Sequence, residues 1–246
     1  MNDRPSLARL TKVELRKMVD TRSGFWLLLT VVALTFVAVL VTALFGHEGD
    51  RTFHRILANG VAPAGILLPV VGILLVSSEW SQRTALVSFA LVPNRPRLIA
   101  AKLLAGVVLA LAATALAVIV AVFGTAIAST NSPEHWSLPL GLLLQDALYV
   151  VTSMLIGIGF GAALLASAPA IVIYFALPIA LAALGSIHAL AGTIEWLSVG
   201  ESTEALTERL IGGHEWAQVL VSLALWIGVP LAIGLWRITR RDLAVG

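Results

Sequence analysis

The sequence predicts an all-α, polytopic membrane protein: six transmembrane helices, an interfacial amphipathic helix at the N-terminus, and both termini cytoplasmic. Three observations carry this reading. Of 246 residues, 59% are hydrophobic and 12% charged, about half the charge of a soluble domain, and mean hydropathy is +0.95. Six apolar runs approach the ~20 residues a helix needs to cross the hydrocarbon. The cations cluster on one side of those runs, although net charge is only +2. With no cysteine in the sequence, disulfides, thiolate nucleophiles and cysteine-ligated metal centres are excluded.

The interfacial helix is expected within 6–23. Residues 6–20 have helical period, and Arg9, Lys12 and Arg16 fall at i, i+3 and i+7 as one basic stripe. Leu7, Leu10, Leu15 and Met18 fill much of the remaining arc, interrupted by Glu14 and Lys17. Such a helix lies along the membrane with its cations toward lipid headgroups. Span one, Phe25 to Phe45, carries no charge. It exceeds the ~7–15 apolar residues of a cleaved signal peptide and is expected to stay in the mature protein.

Span two, Val61 to Ser77, is short and holds Pro63 and Pro69. Span three, Leu98 to Ala128, is longer than a bilayer requires and is expected to project beyond one face. Spans four and five, Leu140 to Leu165 and Ala170 to Leu190, are separated by a few uncharged residues, with Pro169 as the natural place to turn. Span six, Trp216 to Trp236, follows an amphipathic extracytoplasmic segment, 191–215.

Orientation follows from Lys and Arg. Arg4, Arg9, Lys12, Arg16, Lys17 and Arg22 precede span one. Arg83, Arg95, Arg97 and Lys102 surround the loop after span two, and Arg237, Arg240 and Arg241 follow span six. That is 13 of 16 cations on one side. Glu48, Asp50, Glu134, Glu195, Glu201, Glu204, Glu208 and Glu215 fall on the other. The basic side is read as cytoplasmic.

The cytoplasmic loop, 79–97, starts with Glu79 at the membrane edge. Arg83 to Leu91 reads as a short apolar helical piece. Pro93 and Pro96 then bracket Asn94 and Arg95, which are expected to form a rigid turn. A new helix is expected near Arg97, with Lys102 about a turn in. A short helix and a fixed turn suit contact with a soluble partner.

At these residues the chain resembles the permease subunits of ATP-binding-cassette exporters of the type-2 export class. The likeness rests first on V-E-L-R-K followed by R-S-G: Glu14, Lys17 and Arg22 to Gly24. It rests second on an acid, R-T, P-N-R and a lysine in the loop: Glu79, Arg83, Thr84, Pro93, Asn94, Arg95 and Lys102. The six-span plan, with a long outer segment before the last span, is the third part. The resemblance implies a half-transporter that forms its pathway with a second permease copy, expected as a homodimer. Two cytosolic ATPase subunits would carry ATP and Mg, with no cofactor in this chain. It further implies that Arg83 to Pro93 is the coupling helix and that Pro93 to Arg97 fixes its angle. Glu79, Arg83, Thr84, Pro93, Asn94, Arg95 and Arg97 are then the ATPase contacts. Short helices within 191–215 are implied to dip into the outer leaflet and close a gate. Longer relatives carry a large domain between spans one and two, where this chain has only the short loop 46–60.

The ATPase is not encoded here. A phosphate-binding loop needs G-x-x-x-x-G-K-[ST], and none of Lys12, Lys17 and Lys102 follows a glycine. Membrane lipid is an expected partner; nucleic acid and a resident metal are not. Thirteen Arg against three Lys, with abundant Ala and Val, fits a high-GC bacterium, and hence the plasma membrane.

Two other classes compete. For an intramembrane zinc protease, His47-Glu48 and His214-Glu215 begin H-E-x-x-H, but Arg51 and Gln218 occupy the last position. No G-x-S-x-G elbow is present. Ion-coupled transport needs ionisable groups at membrane depth, and Asp146 is the one acid well within a span. A hydrogen bond to a neighbouring helix is expected for it over a place on the pathway. His47, His54, His135, His188 and His214 fall at or beyond the outer face without ligand spacing. Gly157, Gly159 and Gly161 predict close helix packing.

Overall fold

In hydrocarbon a backbone N–H or C=O has no water to bond, so a spanning chain must satisfy its own amides within helices or a closed barrel. The computed structural model describes residues 6–81, 95–128, 133–137, 139–187 and 191–240, and among these the protein takes the helical solution throughout, with no strand. Among the described residues six helices are long and apolar enough to cross a membrane.

Helix α1 (Leu7–Asp20) begins where the Ser6 hydroxyl accepts from the Arg9 amide. It ends at Thr21, whose extended backbone turns the chain and whose hydroxyl caps α2 (Arg22–Phe45) at the Gly24 amide, 3.2 Å away. At this elbow a Cβ on residue 24 would lie 1.9 Å from the Met18 carbonyl oxygen. Only glycine lets the two helices pass so closely, which explains the R-S-G at the start of span one.

Helix α3 (Phe53–Ser81) is longer than the predicted 61–77. His54, Arg55 and Asn59 broke the apolar run, yet Asn59 is accommodated by a 3.0 Å bond from its amide to the Thr42 hydroxyl of α2. Pro63 and Pro69 lie inside the helix, as neighbouring helices permit in membrane proteins. Helix α4 (Arg95–Ile127) starts two residues before the expected Arg97. Pro96 falls in its first turn, where the missing N–H costs no hydrogen bond. Arg95 to Arg97 are therefore helical and not part of a rigid turn.

Helix α5 (Leu140–Leu164) ends at Leu165, which adopts the left-handed conformation at φ 55°. Ala166 follows in extended conformation and α6 (Ser167–Gly185) begins at once. The turn between spans four and five thus falls at Leu165–Ala166, and Pro169 sits harmlessly in the first turn of α6. A left-handed leucine costs roughly 1–2 kcal/mol. Its side chain compensates by burial against Ile99 and Ile238.

Two short helices, α7 (Ala191–Leu197) and α8 (Val199–Glu208), precede α9 (Gly213–Leu223). A π turn at Ala224–Gly228 joins α9 to α10 (Val229–Arg240) within one span, Gly213–Ile238. The widened turn lies just before Pro230, whose ring would crowd the Trp226 carbonyl of a regular helix.

The core is built on α3 and α5. Gly65 meets the Tyr149 ring, Pro69 backs Gly157 and Ile73 backs Gly161, so the two helices run parallel with their backbones nearly touching. Helices α2 and α4 pack outside this pair through Val39, Ala43, Ala117 and Ala121. At one end Arg95 of α4 donates to the Ile238 carbonyl and Arg237 of α10 to that of Ala163. Ser77 of α3 bonds Ser167 of α6 at 2.8 Å. Helix α1 joins the same end, packed against α4 and α2.

Candidate functional site

A helical wheel of α1 treats Glu14 as an interruption, whereas the fold makes it the centre of the buried face, between Leu10 and Met18. Its carboxylate is 2% exposed. Such burial requires a partner, and Lys102 of α4, itself 1% exposed, places Nζ 2.7 Å from Glu14 Oε2. The same ammonium donates to Glu79 Oε1 and to the Leu75 carbonyl, each at 3.0 Å. All three of its N–H groups are therefore used.

Lys17 completes the cluster. Its Nζ lies 2.7 Å from Glu14 Oε1 and 2.7 Å from Glu79 Oε1. Burial works against its charge, but hydrogen bonds and Coulomb attraction from Glu14 and Glu79 outweigh that and hold its pKa above the ordinary value. Among the described residues the two acids and two bases balance in charge. The cluster joins three separate pieces of chain: the interfacial helix, the end of α3 and the beginning of α4.

Those last two are the stems of the loop predicted to contact an ATPase. Of the residues expected there, Arg83, Thr84, Pro93 and Asn94 lie outside the described residues. Glu79 is buried at the root of the loop. Arg95 is tied to α10, and Arg97 is half-buried at the start of α4. Of the interfacial set, Arg9, Lys12 and Arg16 are exposed as a lipid-facing stripe requires, whereas Glu14 points inward.

At the opposite end, Asp146 is completely buried, and among the described residues neither carboxylate oxygen finds a hydrogen-bond donor. The expected bond to a neighbouring element is made by Gln145 instead. Its amide Nε2 donates to the carbonyls of Leu206 and Arg209, at 2.9 and 2.8 Å, and its Oε1 accepts from the Ile211 amide at 3.3 Å. One side chain thereby fastens the end of α8 and the following turn to α5. The indole of Trp226 fastens α7 by donating to the Leu197 carbonyl at 2.8 Å. Gln145→Leu leaves two carbonyls and an amide without that partner, each worth about 1–3 kcal/mol if buried unsatisfied. Amide exchange across 199–211 is expected to rise while α3 stays protected; unchanged exchange would contradict the fastening.

Trp196 meets the His214 ring edge to face at 5.3 Å, and Trp136 stacks on Phe53 at 6.4 Å. Among the described residues no three His, Asp or Glu side chains converge on a point that would hold a metal. Sequence reasoning missed two functional candidates. Lys102 entered only as the end of a motif, and Gln145 was given no role. The available signal was a lone lysine about a turn into the otherwise uncharged run Leu98 to Ala128, where burial demands an acid.

No protein-family model matches the chain, and comparison with curated proteins finds no match. The class defined by fold and site is therefore a multi-pass helical membrane protein with an interfacial helix salt-bridged into the membrane end of two spans.

Proposed function

We propose that this chain is the membrane-spanning subunit of an ATP-driven exporter, working as a homodimer with two cytosolic ATPase subunits in a bacterial plasma membrane. The observation that carries the reading is the buried cluster of Glu14, Lys17, Glu79 and Lys102. It binds α1 to α3 and α4 where they flank residues 82–94, so a push on the coupling segment expected there reaches α1, α3 and α4 as one rigid unit. ATP-driven closure of the partner subunits supplies the push, and the tilt of α3 carries α5 with it through their glycine contact. At the far end the Gln145 fastening of α8 then opens. The gathering of Arg9, Lys12, Arg16, Arg95 and Arg237 at the α1 end supports a cytoplasmic placement of that end and of both termini.

Pro93→Ala and Arg95→Ala test the coupling in the assembled complex. Transport is expected to fall by about 5- to 150-fold, the scale of a ~1–3 kcal/mol coupling energy, while ATP hydrolysis persists. Transport that still tracks hydrolysis would contradict the proposal. A second reading, transport coupled to a cation or proton at Asp146, is favoured by the unpartnered buried carboxyl. Asp146→Asn in the same assay separates the two, since the ATP-driven reading expects transport to survive it.

A further inference from the structure

Helix α1 and α4 flank a shallow, open groove of about 450 Å³, within the ~300–1,000 Å³ of ordinary ligand sites. Its walls include Leu7 and Leu15 on one side and Leu104 and Val108 on the other. Thr11 also lines it, but its hydroxyl is bonded to the Leu7 carbonyl at 3.0 Å. Lys12 is the single charged residue of the lining, exposed and ion-paired with no acid among the described residues. The buried cluster on the other face of α1 holds the helix at a fixed distance from α4, so the groove is preformed.

We propose that this groove binds one anionic phospholipid, its acyl chain between α1 and α4 and its phosphate on the Lys12 ammonium. The charge of the lining selects an anion, and no acid opposes it. The hydrocarbon requirement comes from the groove's outlet. Leu104, Val108 and Leu111 follow at i, i+4 and i+7 and are 43%, 48% and 47% exposed, so an apolar strip continues from the groove along the membrane-facing side of α4. A water-soluble anion finds no use for that strip, and a zwitterionic lipid offers Lys12 a phosphate whose charge its own headgroup cation offsets. The site is independent of any ATPase, so its failure leaves the exporter reading untouched.

Native mass spectrometry of the full purified chain, titrated with dioleoyl phosphatidylglycerol or dioleoyl phosphatidylcholine, tests the site. One phosphatidylglycerol is expected to be retained over phosphatidylcholine by about fivefold, the share of one interfacial cation. Lys12→Gln should remove that preference, and Val108→Trp, filling the groove from an exposed position, should remove retention of both lipids. Inorganic phosphate should not compete. Arg9 is exposed but does not line the groove, and Arg9→Gln should leave the preference intact. An equal loss in Arg9→Gln and Lys12→Gln, displacement by phosphate, or retention unaffected by Val108→Trp would each overturn the proposal.

Discussion

Lys102→Met is expected to destabilise the protein by about 3–5 kcal/mol, the cost of removing one partner from a buried ion pair. The size follows from what remains. Glu14 is 2% exposed and Glu79 8%, and of the two ammonium groups described between them Lys17 remains, its side chain 38% exposed. Methionine fills the same volume, so loss of charge and not a cavity is what the substitution reports. Lys17→Met should cost less, about 0–1 kcal/mol, because solvent screens a half-exposed pair. Combining Glu14→Gln, Lys17→Met, Glu79→Gln and Lys102→Met should recover most of the loss, since a buried ion network replaced by neutral groups of similar volume is often nearly neutral. Denaturant unfolding in mixed micelles measures all three variants. A Lys102→Met cost below that of Lys17→Met would show that the cluster is not buried as described.

The second large effect is expected at Gly157→Ala. The added Cβ would lie 2.2 Å from the Pro69 carbonyl oxygen and 2.5 Å from its Cα. Both are backbone atoms, so no rotamer change relieves the contact and α3 must move off α5. Overpacking of this kind costs about 1–3 kcal/mol. Two internal controls set the scale. At Gly159 the nearest atom is Pro230 Cβ at 3.3 Å, which has more room, and at Gly192 nothing lies within 4 Å. The order of loss in thermal midpoint should therefore be 157, then 159, then 192. Equal midpoints at 157 and 192 would contradict the α3–α5 contact.

The spans were legible in the sequence because a bilayer imposes a length and a polarity that few other environments impose. Long apolar runs located all six, with Lys102 in the third and Asp146 in the fourth as interruptions, and the helical period of 6–20 located α1. Boundaries were less legible where a polar residue is satisfied by tertiary contact: Asn59 hides the start of α3 because its partner, Thr42, belongs to another helix. The turn after α5 was misplaced because a left-handed leucine has no sequence signature, whereas proline does. Glu14 shows the same limit at the candidate site. Its spacing identified it as an intruder on an apolar face, but its partner Lys102 is 88 residues away, and only the folded chain brings the two together. At the other end the expected bond was placed on Asp146, yet the neutral amide of Gln145 makes the contacts, since its donor and acceptor match backbone groups that a carboxylate meets only in part.

The most direct test of the central claim is to recover the tagged chain from its native membrane, by gentle extraction after crosslinking, and to identify the soluble proteins bound to it. The account predicts a stoichiometric partner carrying a phosphate-binding loop, its recovery reduced when residues in Arg83 to Arg97 are substituted. Recovery of the intact, folded chain with no ATPase under those conditions would contradict it, and would move attention to the unpartnered carboxyl of Asp146.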